Sequence, residues 1–423
     1  MSTVIKGGLV IDQTGERNAD VAVEDGLVVA VGPDLSGDEV LDASGCVVAP
    51  GFVDIHAHLR QPGAEEAETI ETGSWAAVRG GYSAVVAMPN TNPPIDCAAV
   101  VQEVLALGRL APCDVYTSGA ITVGRKGEQL APMAEMAALG VRLFTDDGNG
   151  VQEAGLMRRA MEYAAGLGVV LAQHCEVDSL AAGGHMHEGE WSSRLGIAGV
   201  PAEAEELMVM RDIALSRFTG APIHFQHLST RGSIAMVRAA REAGVEVTAE
   251  AATHHFTLTD EACASYDPVF KVNPPLRPAD DRDAVREGLS DGAVDAIATD
   301  HAPHSPDTKE MPFDQAPPGM LGLETALALA LTELNLPLAE VVGLLSWQPA
   351  AIAGLKGVHG VPIAPGGPAN LCVFDPNETW TVDPDALASR SRNTPYAGRQ
   401  VRGRVRHTIV GGLPVLVDQE MRP

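Results

Sequence analysis

Apolar positions along this chain follow two styles. In the middle, short continuous apolar runs alternate with longer stretches in which apolar residues recur every three or four positions. Eight of the short runs read as strands: 52–56, 83–88, 114–120, 141–145, 168–173, 222–226, 245–250 and 294–299. Helical patterns separate most of them, among them Gln152–Leu167, Ala202–Phe218, Arg231–Ala243 and Asp280–Leu289. Eight strand-then-helix units in about 300 residues predict an α/β protein built as a (β/α)8 TIM-like barrel. The ends differ. Val4–Ile11, Asp20–Gly26, Ala369–Asp375 and Val405–Gly412 are strand-like runs bounded by tight turns. They predict a small β-sandwich domain made from both termini, residues 1–50 plus 357–423, around a barrel domain at 51–356.

Composition narrows the function. A chain of 423 residues, 45% hydrophobic and 20% charged, is expected to be soluble and globular. Its net charge of −27 argues against nucleic acid or an anionic membrane as partner, since both would repel it. Six cysteines lie scattered with no CxxC pair, as expected of reduced thiols in a cytoplasmic protein. The N-terminus shows no secretion signal, and no apolar run of about 18 residues suggests a membrane span.

The chemistry sits where the strands end. The first run leads into Asp54-Ile55-His56-Ala57-His58, and two histidines at i and i+2 of an extended chain face the same side. The fourth runs into Thr145-Asp146-Asp147-Gly148-Asn149-Gly150, the fifth into Gln173-His174-Cys175-Glu176, the sixth into Gln226-His227 and the eighth into Thr299-Asp300-His301. In a barrel all these ends share one face. Any one histidine there reads most simply as a satisfied polar residue. Five such ends together predict a metal site, and imidazole plus carboxylate suits zinc.

Three segments carry a resemblance: Asp54–Gly63 (DIHAHLRQPG), Met88–Pro94 (MPNTNPP) and Ala298–His304 (ATDHAPH). Together they resemble the bacterial type I dihydroorotases of the cyclic amidohydrolase superfamily. That resemblance implies reversible cyclisation of N-carbamoyl-L-aspartate to (S)-dihydroorotate and water by a binuclear zinc hydroxide, in de novo pyrimidine biosynthesis. It also implies the ligands: His56, His58, Asp147 and Asp300 at one Zn2+, His174 and His227 with the bridging Asp147 at the other. Asp300 would in addition be the catalytic proton shuttle. Many relatives bridge the metals with a carboxylated lysine, but this chain has no lysine between Lys126 and Lys271. Asp147 takes that place, with Asp146 structural or supporting, and Gly148 and Gly150 are expected to allow the tighter backbone path.

Substrate contacts are expected from His58, Leu59, Arg60, Asn90, Asn273, His304, Pro318 and Gly319. Arg60 offers a fork matched to a carboxylate; its alternative is a rim salt bridge. Asn90 and Asn273 read otherwise as turn residues beside Pro89 and Pro274. Many relatives have an aromatic residue at the position of Pro318. The Pro/Gly-rich segment 305–321 is a candidate cover for the pocket. His301 is expected to orient Asp300. His185 and His187 read as a solvated loop and His224 as packing, with His254 and His255 open to a supporting role. The competing readings are another cyclic amidase, such as a hydantoinase or allantoinase, and an inactive homologue serving as structural partner of aspartate carbamoyltransferase. By resemblance, a homodimer or a complex with that enzyme is expected.

Overall fold

The computed structural model describes residues 2–422. Eight parallel strands occupy the middle of the chain: β1 (Phe52–Ala57), β2 (Tyr82–Ala87), β3 (Asp114–Thr117), β4 (Leu143–Phe144), β5 (Val170–Gln173), β6 (Ile223–Phe225), β7 (Val247–Ala252) and β8 (Ala296–Ala298). Every one falls on a run singled out from the sequence. β1 to β3 pair in one sheet, and β4 to β8 pair in chain order in another. Parallel bridges Gly119↔Phe144 and Ala57↔His301 join the two sheets at both edges, so the pairings lead round to β1.

Register along β1 shows how the apolar code becomes a site. Val53 and Ile55 share an apolar cluster with Ala84 and Val86 of β2, Ala296 and Ala298 of β8, and Ala350 and Ile352 of the helix Trp347–Ile352. Asp54 pairs with Val85 and Ala57 with Ala87, so three residues of β1 oppose two of β2, and this bulge breaks the period of two between Asp54 and His56. Asp54 accepts from the backbone N–H of Thr299 at 3.0 Å, and His56 reaches Glu250 on β7. The interior is therefore partly polar. Thr145 donates to Gln226 at 2.7 Å, and the Gln226 amide lies 3.3 Å from His56 Nδ1.

The helices match expectation to within two residues at each end, as Ala154–Leu167, Glu203–Thr219, Arg231–Glu242 and Ala279–Asp291. The first of these ends on Gly168 with φ +67°, a left-handed conformation that glycine adopts without strain.

Both termini contribute to one nine-stranded sheet. Its seam is antiparallel pairing of Leu371–Thr381 with Val47–Pro50, Leu371 opposite Pro50 and Phe374 opposite Val47. Val48, Leu371 and Val373 turn into a separate apolar cluster, while Val47, Ala49, Cys372 and Phe374 turn into the large core shared with the middle of the chain. The sheet curls back on itself, with Leu27 bridged to Pro368. The run 47–53 looks continuous in sequence, yet Gly51 divides it between two sheets. A side chain at Gly51 would meet Ser83 Oγ at 2.4 Å, so only glycine lets the chain cross there.

Two expectations need correction. His187 is not in a solvated loop. It lies in the short strand Met186–His187, is buried, and its Nδ1 sits 3.0 Å from Nη1 of the buried Arg277. Gly148 has open space around it, whereas a side chain at Gly150 would meet the His174 carbonyl at 2.8 Å. The tight backbone path after β4 is at Gly150 alone. The six cysteines are all free thiols, five of them buried. Among the described residues no helix is long and apolar enough to cross a membrane.

Candidate metal centre

Residues just beyond β1, β4, β5, β6 and β8 converge at one rim. His56, His58 and Asp147 present ligand atoms within 4.8 Å of one another, and so do Asp147, His174 and His227. Asp147 belongs to both groups. Its Oδ1 lies 3.3 Å from His56 Nε2 and 3.5 Å from both His174 Nδ1 and His227 Nε2, and its Oδ2 lies 3.6 Å from His58 Nε2. Asp300 Oδ1 is 3.0 Å from His58 Nε2 and 3.6 Å from His56 Nε2. All six side chains expected as ligands are thus within reach of one another, and all are buried.

The hydrogen bonding behind them says which atoms face inwards. His56 Nδ1 donates to Glu250 Oε1 at 2.6 Å, and His58 Nδ1 donates to Asn90 Oδ1 at 2.9 Å. When both rings are neutral, as metal binding requires, their Nε2 atoms carry lone pairs pointed at the carboxylates of Asp147 and Asp300. His56 Nε2 is buried with no hydrogen-bond partner. Acceptors facing acceptors in a buried place repel unless a cation sits between them. The donor set, imidazole nitrogen with carboxylate oxygen, suits a zinc-like divalent ion. Burial opposes charge on both partners, yet Asp147 and Glu250 hold His56 well above the ordinary histidine range, while His56, His174 and His227 hold the Asp147 carboxyl well below its own, so without a metal a proton on His56 supplies the positive charge the carboxylates demand. Asp300 is lowered too, against its burial, by His58 and His56.

Backbone strain marks the same residues. Arg60, His227 and Asp300 have φ of +61°, +32° and +46°, in a region side chains other than glycine seldom occupy. Each lies on a turn immediately after a strand end, where the chain bends sharply to aim a side chain at the centre.

A cleft of about 170 Å3 opens over the cluster, lined by His58, Arg60, Asn90, Asn273, His304 and Pro318 among others. Gly319 also lines it. Leu59 does not. Its side chain is buried in the main core, its Cδ2 at 2.6 Å from where a side chain on Gly73 would begin, because alternation after His58 turns it to the helix side. Arg60 donates through Nε to the Pro303 carbonyl at 3.1 Å, and its Nη2 lies 3.3 Å from His304 Nε2. Burial lowers its pKa only to about 10, so it stays cationic at neutral pH. Neither partner neutralises it. His304 donates to the Pro318 carbonyl at 2.8 Å; burial first, then Arg60 and Lys309, push its pKa down to about 3. The Asn273 amide lies 3.3 Å from His174 Nε2.

Several supporting residues were not legible in the sequence. Glu250 holds His56 through Oε1 and His224 Nε2 through Oε2 at 3.0 Å, and also accepts from the His227 backbone N–H at 3.3 Å. Burial opposes its ionisation, but His56 and His224 bring its pKa down to about 2. His224 is therefore part of the ligand support and not mere packing. His301 does not turn to Asp300. Its ring pairs with Glu68 at 3.3 Å, while its backbone carbonyl accepts from His58 N–H at 2.8 Å. His254 Nε2 is buried, unpartnered and 3.8 Å from Asp300 Oδ2; burial drops its pKa to about 4, so it is neutral. Asp146 accepts from the Thr122 backbone N–H at 3.0 Å, a structural role.

Residues 45–233 match the family model described as dihydro-orotase-like. Relatives named dihydroorotase align end to end: 49% identity with the protein of Pelotomaculum thermopropionicum, covering 100% of both chains, and 46% with that of Streptomyces coelicolor, covering 99% of both. The protein of Mycobacterium tuberculosis is 46% identical over 100% of both chains. The chain belongs to the dihydroorotase family. Its fold is also that of solved structures of lower identity: the L-hydantoinase of Arthrobacter aurescens superposes with a TM-score of 0.89 at 24% identity, covering 100% and 97% of the two chains. The dihydropyrimidinase of Brevibacillus agri gives 0.87 at 23%, covering 100% and 96%.

Glu250→Gln tests the support of His56. It should leave the fold intact and weaken metal affinity by roughly 10- to 100-fold, read by competition with a chelator.

Proposed function

We propose that this protein is a dihydroorotase, interconverting N-carbamoyl-L-aspartate and (S)-dihydroorotate at the Asp147 cluster, in pyrimidine biosynthesis. The observation that carries the reading is an uncompensated Arg60 facing a cleft over a two-lobed His/Asp cluster, in a chain whose end-to-end relatives bear that name. The hydantoinases share the fold at 20–24% identity, which speaks for fold alone. The strand ring is read as a (β/α)8 barrel over residues 51–356. The terminal sheet, curled around its own cluster, is read as the small β-sandwich of residues 1–50 and 357–423.

Two Zn2+ ions would be held by His56, His58, Asp147 and Asp300 and by Asp147, His174 and His227. When bound, they would polarise the ring amide carbonyl and lower the pKa of water. Arg60, with Asn90 and His304, holds the substrate carboxylate; Asn90 also steadies His58. Asn273, Pro318 and Gly319 face the ring. In hydrolysis a water oxygen bonds to the ring amide carbon, and Asp300 takes the proton. The carbon–nitrogen bond then breaks, and Asp300 returns the proton to the departing nitrogen, which becomes the carbamoyl NH2. The carbon is left as a carboxylate. Synthesis is the reverse and consumes one proton, so lower pH favours ring closure. Asp300 fits the task because Oδ1 lies with His58 and His56, while Oδ2 lies 3.8 Å from the neutral His254.

A second copy of this chain is the partner we favour. Leu207, Met210, Ala214 and Phe218 recur on one face of the helix Glu203–Thr219, and the three larger ones are 43%, 53% and 67% exposed. Glu203 lies in its first turn and Arg217 in its last, so antiparallel pairing with a twofold copy sets acid against base.

Three measurements test these assignments. Purified protein with about two zinc ions per chain should open dihydroorotate far faster than hydantoin or allantoin; the opposite ranking refutes the reading. Asp300→Asn should remove turnover while substrate still binds, and Arg60→Ala should raise KM by about tenfold or more and slow turnover less. Met210→Glu should shift a dimer to monomer in sedimentation velocity; an unaltered mass would rule out this face.

A further inference from the structure

One wall of the cleft is held by a cation that the reaction does not use. Lys309 closes the short helix Pro306–Lys309 in the segment after β8. Its Nζ donates to three backbone carbonyls: Pro317 at 2.8 Å, Pro268 at 2.9 Å and Lys271 at 3.3 Å. Pro317 belongs to its own segment, whereas Pro268 and Lys271 belong to the segment after β7. Lys271 reciprocates, its Nζ donating to the Asp314 carbonyl at 3.2 Å, and the Gly319 N–H donates to the Lys271 carbonyl at 2.8 Å. Two of the five lysines in the chain thus stitch one seam. What the seam holds is the pocket: Val272 and Asn273 line the cleft from one side, and Pro317, Pro318 and Gly319 from the other. Among the described residues Lys309 has no carboxylate in ion-pair contact. Its three acceptors are neutral.

We propose that Lys309 is a positioning residue, whose ammonium locks the Pro317–Gly319 wall to the Pro268–Asn273 segment and thereby sets how tightly dihydroorotate is held. The proposal rests on the reading of the site as a dihydroorotase. Three strong acceptors gathered on one ammonium give charge-assisted bonds, and nothing else in the seam spans both segments from a single atom. The wall must be fixed closely, because His304 donates to the Pro318 carbonyl while also lying beside Arg60. If the wall slides, the carboxylate clamp loosens with it.

The charge on the lock titrates within a usable range. Burial first, then the neighbouring positive Lys271, lowers the pKa of Lys309 to about 7, with Asp267 opposing and Arg60 adding. The groups facing it are Asp267 and Lys271 across the seam, Arg60 from the turn after β1, and His304 on its own segment. Below that pH the ammonium has three N–H donors for three carbonyls. Above it the amine has two and no charge, so the lock weakens as pH rises.

The test compares full-length, metal-loaded wild type with Lys309→Met and Lys309→Arg. At pH 6, Lys309→Met should raise KM for dihydroorotate by about tenfold with kcat changed less than about twofold, the signature of lost binding alone. The wild-type to Lys309→Met ratio of kcat/KM should then fall towards unity by pH 9. Lys309→Arg, charged throughout, should restore part of the affinity and keep it at pH 9. A second readout is independent of substrate: amide hydrogen exchange in 268–272 and 314–319 should quicken in Lys309→Met and stay unchanged elsewhere. Unchanged KM, a loss confined to kcat, a ratio constant with pH, or unaltered exchange in the two segments each overturns the proposal. Wild type inactive on dihydroorotate sinks the functional reading instead, and the exchange arm still decides whether Lys309 locks the seam.

Discussion

The arrangement turns on acceptors pointed at acceptors. Two imidazoles, when neutral, give their N–H groups to Glu250 and Asn90, and their lone pairs meet the carboxylates of Asp147 and Asp300 among buried side chains at the floor of the cleft. Alone, that geometry is repulsive, and burial makes it worse. It becomes favourable only around positive charge. The residues of the rim have therefore been arranged for a bound cation at some expense to the empty protein, and the strained φ values of His227 and Asp300 belong to the same account.

The fold makes such a cluster possible because a ring of parallel strands brings distant residues to one rim. His56 and Asp300 are 244 positions apart in sequence, yet the bridge Ala57↔His301 puts their strands side by side. Alternation within β7 then separates the roles. Ala249 and Ala251 pack into the main core, while Glu250 between them turns, with Gln226, to His56 of the cluster. The same side of the sheet code that stabilises the protein aims its chemistry.

That division explains what could be seen in the sequence. The strands were legible because buried parallel strands are near-continuous apolar runs. The clustered histidines and aspartates were legible because each interrupts the end of such a run. Glu250 was not, since it lies within a run, between Ala249 and Ala251, where it looks like a flaw in the pattern. The signal was there: an ionised group inside an apolar strand demands a partner. The side chain of Leu59 turns into the core because alternation sets it opposite to its neighbour His58. His187 was misjudged because glycines around it suggested a loop, whereas its partner Arg277 is 90 positions away and no local pattern announces it.

The charge balance then selects the kind of molecule the cleft receives. The two divalent ions proposed for the centre would bring +4; Asp147 and Asp300 would return −2, and Glu250 behind His56 a further −1. Arg60 adds an uncompensated charge at the cleft, and the seam of Lys271 and Lys309 adds more behind its wall. A strongly acidic protein, −27 overall, thus keeps a local excess of positive charge at one cleft. Long-range repulsion disfavours anions elsewhere on the surface, while at the cleft the nearby cations, poorly screened by water, dominate. A neutral ring such as a hydantoin would gain nothing from Arg60. A ring bearing a carboxylate would gain an ion pair that the cleft alone lacks, and that difference separates the two substrates.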